Sequence, residues 1–572
     1  MLMKSKETLL KVAASALFGL AVFLFFRMAY PYHLHFQEQC QMFLFSSDYL
    51  FDVVPMPGGL SDYIGRFLTQ FFYQAGLGAG IIALLSFGVQ LLTFSVCRRR
   101  TLMEYSLSFL PSCALVICMC DENALLSPYI AIISGLSFTF LLSRSTKRIF
   151  RYALVIALEI LLYLMGGGLA VIVFSVAALC REKDWRLAIA CVAAAAASAS
   201  ISAYLTDLPF QRLMFGTHYY RYHNVTPLWP WTSAMLLSAL LLADAFGRHA
   251  DSNRRWPAVV TLLAVFALSA TGVAMLQDSK KEEMMKYAFF TRMQLWNRII
   301  HCAAEKSPDT PVTVSCLNLA LAMTDQMGEH MFEFFQNGTE GLLPSHQRDH
   351  FSPLPASDIC WHLGFVNTSQ RFIFDAQEVI PDFQKSAVCY RRMVEASIVT
   401  GAYDVARKYL EPLKHTLFYR KWALENEILL DNPELIESHP VYGRQRELVL
   451  KDKDFFFSDY EMDSMLGLHF VENRSNKVAM QYLLAWTLLN RNLPRFFECL
   501  QLYDGKMPKS YQEGAILYWA ETHDSPEGMP SYITKGVYDR FVSFVSDYRS
   551  GNSQLVKKKY GDTYWLYYYG NN

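Results

Sequence analysis

Residues 30–80 read YPYHLHFQEQCQMFLFSSDYLFDVVPMPGGLSDYIGRFLTQFFYQAGLGAG, and this stretch decides the fold. An apolar run of about 20 residues, the length that crosses a bilayer as a helix, lies on each side of it. The stretch itself carries carboxylates, histidines and a Pro-Met-Pro-Gly-Gly turn, so it is too polar to cross a bilayer. It therefore reads as a long loop between two membrane spans.

More apolar runs follow up to residue 276, and together they predict about nine spans. The runs are 11–30, 77–97, 103–120, 125–143, 152–166, 168–181, 187–205, 231–246 and 257–276. From residue 277 onward the chain is mixed in polarity. We expect an all-α protein with a transmembrane helix domain at 1–276, outer loops at 31–76 and 206–230, and a soluble α-helical domain at 277–572.

Basic residues predict the orientation, because cytoplasmic loops carry an excess of Lys and Arg. One set of connections holds Lys4, Lys6, Arg98, Arg99, Arg100, Arg144, Lys147, Arg148, Arg151, Arg181, Lys183, Arg186, Arg248, Arg254 and Arg255. The alternate set holds only Arg66, Arg212 and Arg221. We therefore expect a multi-pass protein of the bacterial inner membrane, with a cytoplasmic amino terminus and a periplasmic soluble domain.

The region 152–181 leaves two alternatives, a single long helix or a hairpin that turns at Gly166-Gly167-Gly168. Its flanks are both basic, which favours the hairpin because like-signed flanks require an even number of crossings. Glu159 also lies inside this apolar region. Two roles are open for it: a relay or substrate contact, or a hydrogen bond between two helices. The run CVAAAAASASISAYL, residues 191–205, is rich in small side chains that let helices approach closely in lipid, which predicts a central helix.

Composition excludes some functions. Basic and acidic residues number 52 each, so nothing indicates a nucleic-acid partner. The 12 cysteines show no metal or disulfide pattern. No metal site is predicted, and the sequence does not identify a cofactor.

Candidate site residues lie in the two outer loops. Glu38 follows the first span within about eight residues, and Asp48 and Asp52, four apart, share a face of a short interfacial helix that Pro55 ends. The second loop supplies cations for a substrate phosphate; these are Arg212, His218, Arg221 and His223. The alternative for that loop is an ordinary interfacial belt of aromatic residues and anchoring arginines.

The order of the first outer loop resembles that of the glycosyltransferase C superfamily, polytopic enzymes that use lipid-linked sugar donors. Their pattern is a first span, an acidic residue just after it, an interfacial helix and a proline-containing turn. Glu38 and Pro55-Met56-Pro57-Gly58-Gly59 fall at the matching places. The resemblance implies that Glu38 is the catalytic carboxylate, which would deprotonate an acceptor hydroxyl or orient a metal near the donor phosphate. Asp48 and Asp52 are the second choices for a catalytic role.

The second half shows helical periodicity, with paired helices that break at Gly364, Gly401 and 490–492. These pairs resemble the tetratricopeptide repeat, which typically offers a concave surface to a protein partner. Over most of its length the chain also resembles an uncharacterised family of bacterial polytopic membrane proteins. That resemblance rests on FQEQCQMFLF (36–45), PGGLSDYIGRFLTQFFYQ (57–74), LNLALAMTDQMGEHMF (317–332) and KHTLFYRKWA (414–423).

Two functional hypotheses follow. In the first, the protein is a membrane glycosyltransferase that acts on a lipid-linked glycan donor. Membrane lipid surrounds it, and Glu38 is its key acidic residue. In the second, it is a non-enzymatic scaffold whose helical domain binds envelope proteins. A transporter has less support, because charged residues are few within the spans and no internal repeat of spans is visible.

Overall fold

The structure, a computed structural model, describes residues 2–144, 148–216, 218–247, 255–345, 351–381, 384–450 and 462–570. Over these residues the protein is all-helical, which confirms the predicted fold class. The described residues contain no strand; their β-pairing is one isolated antiparallel bridge between Ala124 and Tyr220.

The chain divides into two compact units. The first unit is Met1–Glu282 together with two segments from later in the chain, Pro381–Ala387 and His415–Arg420. The second unit comprises Glu283–Ile380, Val388–Lys414 and Lys421–Asn572. The first unit thus extends six residues beyond the predicted boundary at 276, and it includes two short pieces of the region expected to form the soluble domain.

The first unit is built from helices of very different lengths. The α-helices are Leu2–Leu24, Pro31–Gln39, Ser47–Val53, Gly59–Thr69, Ala75–Val96, Leu102–Leu107, Phe109–Cys118, Ser127–Phe138, Arg148–Glu182, Trp185–Leu205, Phe210–Phe215, Leu228–Phe246 and Arg255–Leu276. A π-helix, Phe25–Ala29, and two 3₁₀ turns, Gln70–Tyr73 and Leu141–Arg144, complete it.

Six helical segments of the described chain are long and apolar enough to cross a membrane: Thr8–Ala29, Ala75–Val96, Ile149–Glu182, Trp185–Leu205, Leu228–Phe246 and Arg255–Leu276. The predicted spans 103–120 and 125–143 contain the shorter apolar helices Leu102–Cys118 and Ser127–Phe138. By length and composition these helices indicate a membrane protein.

The long helix Arg148–Glu182 folds back on itself at Gly167. This residue has φ 65° and ψ −160°, a non-helical conformation inside the segment. The Arg151 guanidinium lies 3.1 Å from the Glu182 carboxylate, and the Ser175 hydroxyl donates a 2.5 Å hydrogen bond to Glu159. In a straight helix the Arg151 and Glu182 backbones would be about 45 Å apart, at 1.5 Å per residue. The region is therefore a hairpin of two antiparallel helices, the alternative that its charges favour.

The hairpin turn lies against the first outer loop. The Gly58 amide donates hydrogen bonds to the carbonyls of Leu164 and Tyr163, at 2.9 and 3.2 Å. Gly58 has φ 78°, which suits glycine, and it is the residue that ends the Pro-Met-Pro-Gly turn. The turn of the hairpin and the outer loops consequently share one end of the bundle, which we call the outer-loop end.

The alanine-rich helix Trp185–Leu205 lies at the edge of the first unit, so the prediction of a central helix is wrong. Cys191, Ala195 and Ala199, spaced four apart, form one buried stripe against the hairpin. On its other faces Val192 is 65% exposed and Ile201 is 60% exposed. Small side chains allow close packing on one face only, and the hairpin occupies the centre.

The second unit is a set of shorter helices. They include Ser279–Arg292, which begins in the first unit, Trp296–Glu305, Pro311–Met323, Met327–His330, Pro353–Leu363, Val366–Val379, Ala387–Thr400, Tyr403–Lys414, Arg420–Asp431, Glu434–Glu437, Tyr442–Leu448, Met462–Glu472, Lys477–Leu489, Leu493–Leu500, Lys509–Thr522, Lys535–Arg549, Ser553–Tyr560 and Tyr564–Tyr569, with 3₁₀ turns at Met331–Glu333 and Gly338–Gly341. The predicted breaks at Gly364 and Gly401 separate consecutive helices, and both glycines have positive φ.

Two almost wholly buried helices, Pro311–Met323 and Lys477–Leu489, form the centre of the second unit. The aromatic carboxyl-terminal segment packs into the same unit, with Tyr564 and Trp565 fully buried. Buried Glu513 accepts a 2.8 Å hydrogen bond from the Tyr564 amide. These contacts hold the end of the chain in the core of the second unit.

Candidate functional site

The helix Pro31–Gln39 positions Glu38 at the outer-loop end. Pro31 opens the helix, where its missing N–H costs nothing. The Glu282 carboxylate accepts hydrogen bonds from the amides of Tyr32 and His33, at 2.8 and 2.9 Å. A carboxylate at a helix N-terminus satisfies unpaired amides and interacts favourably with the helix dipole. Residue 282 therefore sets the position of the helix that carries Glu38.

One face of this helix is buried among neighbouring polar groups. The Gln37 amide donates hydrogen bonds to the carbonyls of Asp121 and Ala124, at 3.1 and 3.3 Å. Burial lowers the pKa of His33 to about 4, so its ring is neutral at pH 7. No cluster of three metal-ligating side chains occurs among the residues that the structure describes.

Glu38 is 5% exposed and lies against the segment His415–Arg420. The Tyr419 hydroxyl donates to the Glu38 carboxylate, at 3.2 Å from Oε1 and 3.4 Å from Oε2. The Phe45 amide donates a 2.8 Å hydrogen bond to the His415 carbonyl, and the Phe418 ring stacks on Tyr73 at 4.7 Å. Three of the four stretches that carry the family resemblance thus meet at Glu38.

The cavity beside Glu38 is small. Its volume is about 20 Å³, and Gln41, Gln70 and Tyr419 are among the residues that line it with Glu38. A cavity of roughly 10–15 Å³ or more on this measure holds one water molecule. The cavity as it stands admits a water and excludes a sugar.

Arg221 from the second outer loop reaches the first loop close to Glu38. Its side chain is 5% exposed, and its guanidinium donates a 2.9 Å hydrogen bond to the Cys40 carbonyl. Its backbone amide donates to the Asn123 carbonyl, also at 2.9 Å. Arg221 therefore braces the chain two residues beyond Glu38, while the cavity at Glu38 is lined by other residues.

A second buried cluster joins the two outer loops at Asp62. The Asp62 carboxylate lies 2.6 Å from the Arg66 guanidinium and 3.4 Å from Nδ1 of His218. The His223 ring meets the His218 ring edge to face at 5.1 Å. Burial opposes the charge on Arg66, but the Asp62 carboxylate and the Tyr49 hydroxyl together outweigh burial and raise the pKa of the guanidinium. This arrangement stabilises a charged Asp62–Arg66 pair beside a histidine.

The remaining predicted residues lie elsewhere. Asp48 and Asp52 are exposed on the helix Ser47–Val53. Arg212 is half-buried on the short helix Phe210–Phe215. The structure thus brings Arg221 to the chain beside Glu38, and it places His218 beside Asp62 with His223 against the His218 ring.

Sequence reasoning missed Asp62, Glu282 and Tyr419. The i, i+4 spacing of Asp62 and Arg66 in SDYIGR was a readable signal for an ion pair on one helix face. No local pattern pairs Glu282 with the helix Pro31–Gln39 or Tyr419 with Glu38, because each contact joins positions hundreds of residues apart.

The fold and this site define a polytopic α-helical membrane protein with a second helical unit and a buried acidic site at the outer-loop end. The chain belongs to the family of unknown function DUF6057, whose model matches residues 6–571. No curated protein and no solved structure matches the chain.

Proposed function

We propose that this protein is a transferase that acts on a lipid-linked glycan donor at the outer face of the bacterial inner membrane, with Glu38 as its catalytic carboxylate. One observation carries the proposal: the Glu38 carboxylate is buried directly after the first span, beside a cavity with room for a water molecule. Burying a carboxylate costs free energy unless it is well paired, and a glutamine could make the same contact with Tyr419 without that cost. An acidic side chain at such a position favours chemistry over packing.

The order of elements supports the resemblance to the glycosyltransferase C superfamily. The first span is followed by Glu38, the helix Ser47–Val53, the proline turn and the span Ala75–Val96. A carboxylate here would deprotonate an acceptor hydroxyl, and a cation would meet the leaving phosphate. Among the predicted cations, Arg221 is the one braced against the chain beside Glu38.

The predicted topology belongs to the same proposal. Counting the hairpin as two crossings and adding the two shorter apolar helices of the first unit gives nine crossings. The hairpin supports this count, because its turn meets the first outer loop while its two basic flanks lie at the opposite end. Nine crossings from a cytoplasmic amino terminus put the outer loops and the second unit in the periplasm.

A donor requires more room than the structure offers at Glu38. The segment His415–Arg420 contributes Thr416 to Tyr419 to the cavity lining. In the proposed reaction this segment moves away first, and the Tyr419 hydroxyl leaves the carboxylate free to accept the proton of the acceptor. The segment then closes the site between turnovers.

The closed cavity is also the observation that favours the alternative, a membrane-anchored scaffold whose second unit binds envelope proteins through tetratricopeptide-like helix pairs. In that function the contact between Tyr419 and Glu38 is a permanent part of the fold. The Phe45–His415 hydrogen bond and the Phe418–Tyr73 stack would serve the same structural role.

Glu38→Gln separates the two functions, because the amide oxygen still accepts a hydrogen bond from Tyr419. A strain lacking the gene is complemented with wild type, Glu38→Gln, Tyr419→Phe or the exposed control Asp539→Asn. Lipid-linked glycan intermediates and protein abundance are then measured together. The transferase proposal expects loss of the wild-type profile in Glu38→Gln alone, at normal abundance.

Two results would refute the transferase. One is a wild-type profile in the strain that carries Glu38→Gln. The other is a deletion strain whose glycan intermediates match those of the parent. Either result leaves the scaffold as the supported function, for which co-purification of envelope proteins with the full chain is the direct measurement.

A further inference from the structure

An apolar groove of about 280 Å³ lies between the second arm of the hairpin and the helix Trp185–Leu205. Its floor runs from Gly168 to Leu179, and Ala188 and Ala195 lie on the opposite wall. The small alanine side chains leave this space open, since larger ones would fill it. Val192 lines the groove and is 65% exposed, so the groove opens to the outside of the first unit.

The groove lies inside two candidate membrane spans and matches the thickness of one leaflet. Gly168 follows the hairpin turn at the outer-loop end, and the eleven residue steps from Gly168 to Leu179 rise about 16 Å in a helix. Half of a bilayer's hydrocarbon core measures about 15 Å. At that depth the groove faces lipid, so the matching occupant is a hydrocarbon chain that lies along the helix.

The outer mouth of the groove has the chemistry of a lipid headgroup region. Trp231 and Phe215 line it with their rings 5.5 Å apart, and the Trp231 indole donates a 3.1 Å hydrogen bond to the Phe215 carbonyl. Tryptophan is enriched at the level of the headgroups. Arg212 lies one turn earlier on the helix Phe210–Phe215 and is half-buried. A guanidinium there suits the phosphate of an anionic lipid.

We propose that this groove binds one acyl chain of an anionic phospholipid from the leaflet at the outer-loop end, with Arg212 contacting the headgroup phosphate. The site is independent of Glu38, so it holds whether the protein is a transferase or a scaffold. Bound lipid fills the space that the alanines leave beside the hairpin and stabilises the packing of Trp185–Leu205.

The test uses the full chain in liposomes that contain a trace of phosphatidylglycerol with a diazirine in one acyl chain. After illumination, labelled peptides are mapped by mass spectrometry. The expected labels fall on 168–179 and 185–195, and phosphatidylcholine with the same diazirine labels these peptides less. Val192→Phe fills the groove and should remove most of this labelling, while Ala193→Phe, one residue away on the same exposed helix, should not.

Arg212→Gln should reduce the preference for phosphatidylglycerol over phosphatidylcholine by about fivefold, the effect of one basic residue at an anionic surface. Arg27→Gln, at an exposed arginine near the outer-loop end of the first span, is its control. Thermal unfolding of each variant checks that the fold is kept.

Equal labelling in Val192→Phe and Ala193→Phe would overturn the proposal, as would an unchanged lipid preference in Arg212→Gln. Lipid labelling of the wild-type chain that spares both 168–179 and 185–195 would overturn it too.

Discussion

Gly167→Ala should destabilise the first unit by about 3–5 kcal/mol. The backbone at Gly167 has φ 65° and ψ −160°, a region that glycine alone enters easily and that costs other residues about 1–3 kcal/mol. An added Cβ would also lie 2.6 Å from the Tyr219 hydroxyl. That hydroxyl donates to the Gly166 carbonyl and accepts from the Leu169 amide, two hydrogen bonds worth about 1 kcal/mol each.

The assay is the free energy of unfolding of the purified full chain, from titration of mixed micelles with a denaturing detergent. Gly80→Ala is the matched control, because Gly80 lies within the helix Ala75–Val96 and an added Cβ there has nothing within 4 Å. We expect a large loss for Gly167→Ala and none for Gly80→Ala.

The sign of the effect separates the hairpin from a single long helix. In a continuous helix, glycine to alanine stabilises by about 1 kcal/mol, since alanine is the better helix former. A Gly167→Ala protein that unfolds no earlier than wild type would therefore refute the turn and, with it, the topology in which the basic flanks share one side.

Three further predictions concern buried carboxylates. Glu282→Ala removes two charge-assisted hydrogen bonds at a helix N-terminus and should cost on the order of 3 kcal/mol in the same unfolding assay. The adjacent Glu283→Ala loses only a surface ion pair and should cost under about 1 kcal/mol. Equal losses in the two variants would contradict the capping role of Glu282. Asp62→Asn leaves the buried Arg66 guanidinium without its counter-ion and should cost about 3–5 kcal/mol. The exposed control Asp48→Asn should cost less than about 0.5 kcal/mol. A small loss of stability in Asp62→Asn would show that solvent reaches the ion pair. Burial raises the pKa of Glu513 to about 8, so between about pH 4.5 and pH 8 the folded protein keeps a proton that the unfolded chain releases. The contribution of Glu513 to the free energy of unfolding therefore falls as the pH rises through this range, by at most about 1.4 kcal/mol per pH unit. Relative to wild type, Glu513→Gln should gain stability steadily over that range in thermal unfolding at pH 5, 6, 7 and 8, and a constant difference would contradict it.

Much of the architecture was readable from local sequence. Runs of apolar residues predicted the membrane helices, and the glycines at 364 and 401 predicted breaks between helices of the second unit. The basic flanks of 152–181 favoured a hairpin, and Gly166-Gly167-Gly168 supplied its turn. Each of these features depends on a few neighbouring residues, and a local pattern is enough to predict it.

The small residues of 191–205 show where local reasoning fails. Alanine and serine predict close packing but do not say how many faces are packed. In the structure a single stripe packs against the hairpin, and the remaining space becomes the groove beside Val192. The number and position of neighbours is a property of the whole bundle.

The sequence by itself determined an all-α protein with apolar spans and a polar loop with Glu38 in it after the first span, and it favoured a hairpin that turns at Gly166-Gly167-Gly168. Only the tertiary structure decided that Tyr419 contacts Glu38, that Glu282 caps its helix and that His218 lies beside Asp62. The physical reason is range. Hydropathy and backbone preference depend on a few neighbouring residues, so a local stretch of sequence is enough to predict them. The hydrogen-bond partner of a buried carboxylate can come from any segment that the packed chain brings within about 3 Å.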